Sequence, residues 1–278
     1  MTITRTPEIP RGTRSRIGWA ISDTLVIACR DLAHWRQQPG AVIANTLVFP
    51  VMIVLTFGYL LGGAMTVPGG GDYRDFLMPG MFAMTMVFGI GSTLTAVSSD
   101  AARGVTDRFR SMPMAAPAVI GGRAAADMLN SAVALAVLTG CAFLTGWHPD
   151  RGAVRALAAL GLLLLLRFAF VWAGVYLGLR FYASTEAVTA VRTLEFPIGF
   201  LGNPFVAIST MPAWLGAIAL WNPLSSTATA ARQLFGDPVG AHASWITSHA
   251  IIMAVAWPLL LIAVFFPLSL RRYQRLSR

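Results

Sequence analysis

The charge-free stretches of this chain constrain it more than any motif does. They cover residues 37–71, 76–99, 128–149, 196–231 and 238–270. A helix needs ~20 mostly apolar residues to cross ~30 Å of hydrocarbon. Four of these runs hold a complete span, and 196–231 holds most of another. A further apolar stretch, 153–179, is interrupted only by Arg155 and Arg167. The pattern predicts an all-α integral membrane protein with six transmembrane helices, near 41–62, 78–99, 122–146, 154–177, 188–210 and 247–268. Charged residues make up 12% of the chain, against roughly a quarter in a soluble domain.

The chain has no lysine; all of its basic side chains are arginine. Arg5, Arg11, Arg14, Arg16, Arg30 and Arg36 precede the first span, and Arg103, Arg108, Arg110 and Arg123 lie between the second and third. Arg180 and Arg192 lie between the fourth and fifth, and Arg271, Arg272, Arg275 and Arg278 follow the sixth. The opposite side holds only Arg74, Arg151, Arg155 and Arg232. Arginine-rich loops stay in the cytoplasm, so both termini are expected there. The net charge of +9 is therefore a topology signal. No basic face with interleaved aromatics points to nucleic acid. All-arginine usage suits a GC-rich bacterial genome, which implies a multi-pass protein of a bacterial plasma membrane. No cleavable signal sequence is expected, because residues 1–16 are basic and have no apolar core beside them.

Residues 1–15 read as a disordered cytoplasmic tail. Over 16–38, Ile17, Ile21, Leu25, Ala28, Leu32 and Trp35 follow steps of four or three, the stripe of an amphipathic helix on the membrane surface or on the protein's own inner face. The six-span domain occupies 41–270, and 271–278 is a basic tail. Pro50 should bend the first span, and Pro79-Gly80 should open the second. Between the second and third spans, helical patterning over 100–113 ends at Pro113. The outer segment 211–235 is too short and too broken at Asn222-Pro223 to span. Two short re-entrant or interfacial helices between the fifth and sixth spans are its physical reading.

Several chemistries are excluded. A P-loop needs a lysine on the phosphates, and there is none. His34, His148, His242 and His249 form no metal-ligand spacing. Ser92, in Gly89-Ile90-Gly91-Ser92, has no mid-span histidine to activate it, and those glycines suit close helix packing. Cys29 and Cys141 are separated by the expected topology, so no disulfide is expected.

Two ionisable residues fall inside spans at similar depth, Arg167 in the fourth and Glu195 in the fifth. Intramembrane charges are usually paired or face a cavity, and an Arg167–Glu195 pair is expected, either as a packing staple or beside a substrate route. Met81, Met84 and Phe88 in the second span, and Phe196 and Phe200 in the fifth, could line such a route. Flexible thioethers suit a promiscuous apolar surface, and they equally suit simple packing.

Four segments together resemble a known family. They are Phe76-Leu77-Met78-Pro79-Gly80; Gly104-Val105-Thr106-Asp107-Arg108-Phe109-Arg110-Ser111-Met112-Pro113-Met114 with Gly122-Arg123 and Ala126-Asp127; Ser184-Thr185-Glu186-Ala187-Val188; and Met211-Pro212-Ala213-Trp214-Leu215 with Trp221-Asn222-Pro223-Leu224 and Arg232. In this order within six spans, they resemble the membrane subunit of a type-2 ABC exporter, of the daunorubicin-resistance permease family. The resemblance covers about 20–270. It implies two membrane subunits, this chain with a second copy or a paralogue, and two ATPase subunits that carry ATP and Mg; this chain holds no cofactor and is no enzyme by itself. The loop between the second and third spans is then the coupling helix, with Asp107, Arg108, Phe109, Arg110, Met112 and Pro113 at the ATPase. Arginines can form forked ion pairs with its carboxylates, and Phe109 can anchor. Where family members often begin this loop with Glu, the chain has Asp100 and Ala101.

The resulting expectation is the permease subunit of an ATP-driven exporter of lipophilic or amphipathic, drug-like compounds. A lipid or glycolipid cargo is the alternative within the family. An ion-coupled secondary transporter built on Arg167 and Glu195 is the alternative outside it, and usually shows an internal repeat that is not evident here.

Overall fold

The computed structural model describes residues 70–103, 116–240 and 244–275, and in addition 48, 51, 52, 55–57 and 67. The tail 1–15, the helix 16–38, most of the first span and the loop residues 104–115 lie outside this set. Among the described residues the chain is all-helical, without a strand.

The first described helix, α1 (Tyr73–Ala102), begins where Asp72 caps it by accepting the Arg74 N–H at 2.9 Å. It starts a turn and a half before Pro79-Gly80, the expected opening, and runs through that proline. Gly80 is needed at this point: a Cβ there would overlap the Pro204 carbonyl. Three other helices are long and apolar enough to cross a membrane, within α2 (Ala116–Leu144), in α3 (Ala153–Phe181) and in α8 (Ala250–Arg275). These four correspond to the expected second, third, fourth and sixth spans.

Burial orders them. The most apolar stretch of α1 is 61% buried, and that of α8 is 11% buried, so α1 is central and α8 peripheral. The α1–α3 packing is close because Gly174 and Gly178 of α3 face Thr93, Val97 and the Ile90 and Leu94 carbonyls of α1. Small residues four apart let two backbones approach. The C-terminal halves of α3 and α8 are joined by Ser269 of α8, which donates to the Trp172 carbonyl at 3.1 Å, and by Arg272, which donates to the Leu179 carbonyl at 3.3 Å.

The fifth expected span, 188–210, is not one continuous helix. Its helix α4 (Thr185–Phe200) is capped by Ser184 and stops after 16 residues, ~24 Å at 1.5 Å per residue. Residues 201–207 follow as irregular backbone, then a 3-10 turn, Ile208–Thr210. Pro197 and Pro204 each remove a helical donor. The irregular stretch is tolerated because protein, rather than lipid, surrounds Gly202–Phe205 and supplies hydrogen bonds.

Two short helices follow, α5 (Ala213–Trp221) and α6 (Pro223–Phe235), meeting at Asn222. The Asn222 side chain caps α6 by accepting the Leu224 N–H at 2.9 Å, and Gly236 ends it at φ 101°. α6 is buried against α1, α3 and α8. Its last carbonyls are held by the α2–α3 turn. The Asp150 and Arg151 N–H groups donate to Phe235 at 2.8 and 3.2 Å, and the Arg151 guanidinium donates to Gln233 at 2.7 Å. Trp147, Phe82 and Phe235 meet edge-to-face around this junction, with centroids 5.0–6.2 Å apart. A one-turn helix, α7 (Trp245–Ser248), leads into α8. Trp214, Trp221 and Trp245 are exposed at this end, where an aromatic belt at a membrane interface would lie.

Candidate functional site

Charge enters the bundle through α2. Near its start, Arg123 lies 3.5 Å from Asp100 at the C-terminal end of α1 and 3.8 Å from Asp127, one turn further along α2. Asp127 in turn lies 4.0 Å from the guanidinium of Arg167 on α3. Alternating charges on three helices thus run from the flanks of the loop 104–115 toward the middle of the bundle. Arg167 is 2% exposed and sits ~20 Å along α3. Its Nε donates to Ser131 at 2.8 Å, and its Nη2 donates to the Thr93 hydroxyl at 3.0 Å. Thr93 passes the contact on, donating to Asp127 at 2.6 Å. Burying a guanidinium is expensive unless its donors are satisfied, and α1 and α2 supply the acceptors to this one on α3.

Glu195 approaches from α4. Its Oε1 accepts the Gly91 N–H at 3.1 Å. A Cβ at Gly91 would overlap the Glu195 carboxylate, and a Cβ at Gly89 would overlap the Arg167 guanidinium. The glycines read from sequence as helix-packing residues therefore seat two side-chain charges. Gly89 and Gly91, two residues apart on a helix, face opposite sides of α1, so Arg167 and Glu195 lie on either side of it; they interact electrostatically, but the ion pair of Arg167 is with Asp127 of α2. The expected direct pair with Glu195 is absent, because the α1 backbone holds that carboxylate.

Beside the charges lies an aromatic ladder. Phe88 of α1 stacks on Phe196 at 5.9 Å, Phe196 meets Phe200 at 4.5 Å, and Phe200 stacks on Phe205 at 4.7 Å. Phe57 adds a rung at 4.5 Å from Phe205. Gly199 gives Phe88 and Met84 room to reach α4. Phe196 is 51% and Phe200 37% exposed, so the ladder is open along one side. Four of the five expected path residues, Met84, Phe88, Phe196 and Phe200, thus come together. Met81 and Met84 are both buried in the same core cluster, and only Met84 also reaches Gly199 of α4. The coupling residues Asp107, Arg108, Phe109, Arg110, Met112 and Pro113 lie outside the described residues.

Two residues to which the sequence assigns no site role stand at the centre of polar contacts. Asp127 stands four residues after Arg123, a spacing that pairs charges on a helix. Arg232 was counted as an outer loop charge, yet it is fully buried in α6. Its Nε donates to Phe76 at 2.8 Å, and its Nη2 donates to Asn203 and Pro204 at 2.9 and 3.1 Å, all main-chain carbonyls. The guanidinium lies 3.7 Å over the Phe76 ring. Tyr73 adds a hydroxyl to the Phe205 carbonyl at 3.0 Å, and Ser225 accepts the Asn203 N–H at 3.1 Å. Next to it, Trp147 donates to both Asp237 oxygens, at 3.1 and 3.2 Å. Burial pushes the Asp237 carboxyl up to about 7 against that hydrogen bond, with Asp75 adding to the rise. A lone arginine ending a long uncharged run was the available signal.

A bundle of four helices able to cross a membrane, with polar contacts between them and an irregular, protein-covered break, is the architecture of a multi-pass membrane protein. The chain belongs to the ABC-2 type transporter family, whose profile matches residues 22–235. It is 31% identical over 263 residues to the daunorubicin resistance ABC transporter permease protein DrrB1 of Streptomyces coeruleorubidus, covering 95% of this chain and 90% of that one.

Proposed function

We propose that this chain is the permease subunit of an exporter that moves lipophilic or amphipathic, drug-like compounds out of a bacterial cell across the plasma membrane. Six spans and a re-entrant hairpin, α5–α6, form each subunit, with both termini cytoplasmic. Two copies, or one copy with a paralogue, form the path, and two ATPase subunits bind ATP and Mg. The ATPases push on Asp107, Arg108, Phe109 and Arg110, which Met112 and Pro113 hold in place. The observation that carries the reading is the half-open ladder Phe88–Phe196–Phe200–Phe205, a continuous apolar surface on which a flat lipophilic molecule can slide. The name of the daunorubicin resistance relative supports the same cargo class. Met81 contributes from behind the ladder, by shaping α1.

The test is co-purification from the native membrane, followed by an ATPase assay on the complex. The expected result is a stoichiometric P-loop subunit whose hydrolysis responds to lipophilic compounds. Asp107→Ala with Arg108→Ala should leave insertion intact and uncouple hydrolysis from export. A chain that purifies alone and transports in vesicles without ATP overturns the proposal, and stimulation by lipids alone moves the cargo to a lipid.

A further inference from the structure

Glu195 of α4 is a half-buried carboxylate. Its Oε1 accepts the Gly91 N–H at 3.1 Å, in the middle of α1, where the helix already uses that donor. Among the described residues no cation forms an ion pair with it. Arg167 lies across α1 and is tied to Asp127. Arg192, one turn back on α4, is exposed, with its stem against Gly91. Taking a carboxylate out of water is costly unless an opposite charge joins it.

The register of two helices places this carboxylate at the end of the aromatic ladder. Met84, Phe88 and Gly91 fall on one face of α1, at steps of four and three. Glu195 and Gly199 fall on one face of α4, a turn apart. Met84 and Phe88 meet Gly199, and Gly91 meets Glu195, so the two faces run antiparallel against each other. Phe88 also stacks on Phe196, the chain neighbour of Glu195. Along this seam the order is the carboxylate, then Phe88 with Phe196, then Phe200, then Phe205. A hard metal ion needs several oxygen ligands, and no metal-holding group of His, Cys, Asp and Glu occurs among the described residues. An organic cation needs one charge and an apolar surface for its body, and aromatic faces attract it further.

We propose that Glu195 is a specificity-determining residue that takes the positive end of a cationic amphiphile whose flat apolar body lies on the Phe88–Phe196–Phe200 ladder. This rests on the exporter reading and names the cargo it favours: protonated amines and other organic cations with an aromatic body. The bond from Gly91 holds the carboxylate at the end of the ladder, and Gly91 has to be glycine because a Cβ would fill the place of the carboxylate. Gly199 does the same for Phe88. The charge thus fixes which end of a ligand enters first, and the rings hold the rest.

The test uses the complete complex with its ATPase and a matched pair of probes: pyrenemethylamine, which is protonated at neutral pH, and its uncharged N-acetyl derivative. The half-maximal concentration for stimulating ATP hydrolysis is measured for each. Glu195→Gln is isosteric and can still accept the Gly91 N–H. It should raise the value for the amine about tenfold and leave that of the neutral probe within about twofold. Glu195→Asp, which keeps the charge, should fall between wild type and Glu195→Gln for the amine. Equal changes for both probes, or none for either, overturn the subsite and leave the exporter reading standing. A wild-type complex that neither probe stimulates overturns the exporter reading, and the subsite with it. Should Glu195→Gln fail to assemble, carbodiimide labelling of Glu195 in the wild-type complex, read by mass spectrometry, decides. Protection by the amine and none by the neutral probe supports the subsite; equal protection by both, or by neither, overturns it.

Discussion

The two deeply buried arginines differ in what holds them. Arg232 is gripped by main chain: three carbonyls from α1 and from the break after α4, over the face of Phe76. Arg167 is gripped by side chains, Ser131, Thr93 and Asp127, on α1 and α2. Main-chain acceptors move only if the fold moves, so Arg232 is a fixed brace that satisfies irregular backbone. Side-chain acceptors can change rotamer, so the grip on Arg167 is the more adaptable of the two. The end of the bundle around Arg232 is braced by main chain, and the region around Arg167 by side chains.

The largest effect is expected at Arg232. Arg232→Ala strands several buried carbonyls and should lower stability by ~3–5 kcal/mol, seen as loss of monodisperse protein in detergent. Arg232→Lys should fail nearly as badly, because a single ammonium cannot reproduce the fork that spans two elements. A stable, monodisperse Lys variant would break the contrast. Arg167→Lys, whose acceptors can follow it, should lose clearly less in the same measurement.

Next comes the strip on α1. Gly91→Val should displace Glu195 and cost ~1–3 kcal/mol by overpacking. Gly161→Ala, which meets nothing within 4 Å, should melt as wild type. A tolerated Gly91→Val would mean that the strip does not seat Glu195.

A smaller effect is expected from pH at Asp237, beside the Arg232 brace. The Asp237 carboxyl titrates at about 7 when folded, above its ordinary range. Between roughly pH 4 and 7 the folded protein therefore holds more protons than the unfolded one, and stability falls as pH rises through that window. The fall should be on the order of 1–3 kcal/mol. It should level off above pH 7 and vanish in Asp237→Asn. Melting curves at pH 4.5, 5.5, 6.5 and 7.5 check this, and an unchanged slope in the variant assigns the effect elsewhere.

The smallest stability change is expected at Phe196, which is half-exposed. Phe196→Ala should lower stability by less than ~1 kcal/mol in detergent, while export of lipophilic compounds drops severalfold. Unchanged export would remove the ladder from the path.

Legibility followed the range of the interactions. The spans near α1, α2, α3 and α8 were readable from local composition, and so was the break at Asn222-Pro223. The fifth span was read as continuous through 210 because residues 196–210 carry no charge. Its end at Phe200 depends on Arg232 and Tyr73 being available to bond the irregular backbone. Phe88, Phe196 and Phe200 were singled out by residue type, and that Gly199 lets them stack could not be known from spacing. Arg167 was rightly marked as a buried charge that needs a partner, but the partner was misassigned, since depth alone cannot choose between Asp127 and Glu195.

The sequence by itself determined that the chain is a membrane-embedded helical protein and where its apolar helices lie. The bilayer acts on every residue through one variable, polarity along the chain. Only the tertiary structure decided which acceptor each charge meets. Arg167 bonds residues 36 and 74 positions away, and Arg232 bonds one 156 positions away, distances at which no local period carries information and only helix packing selects the neighbour.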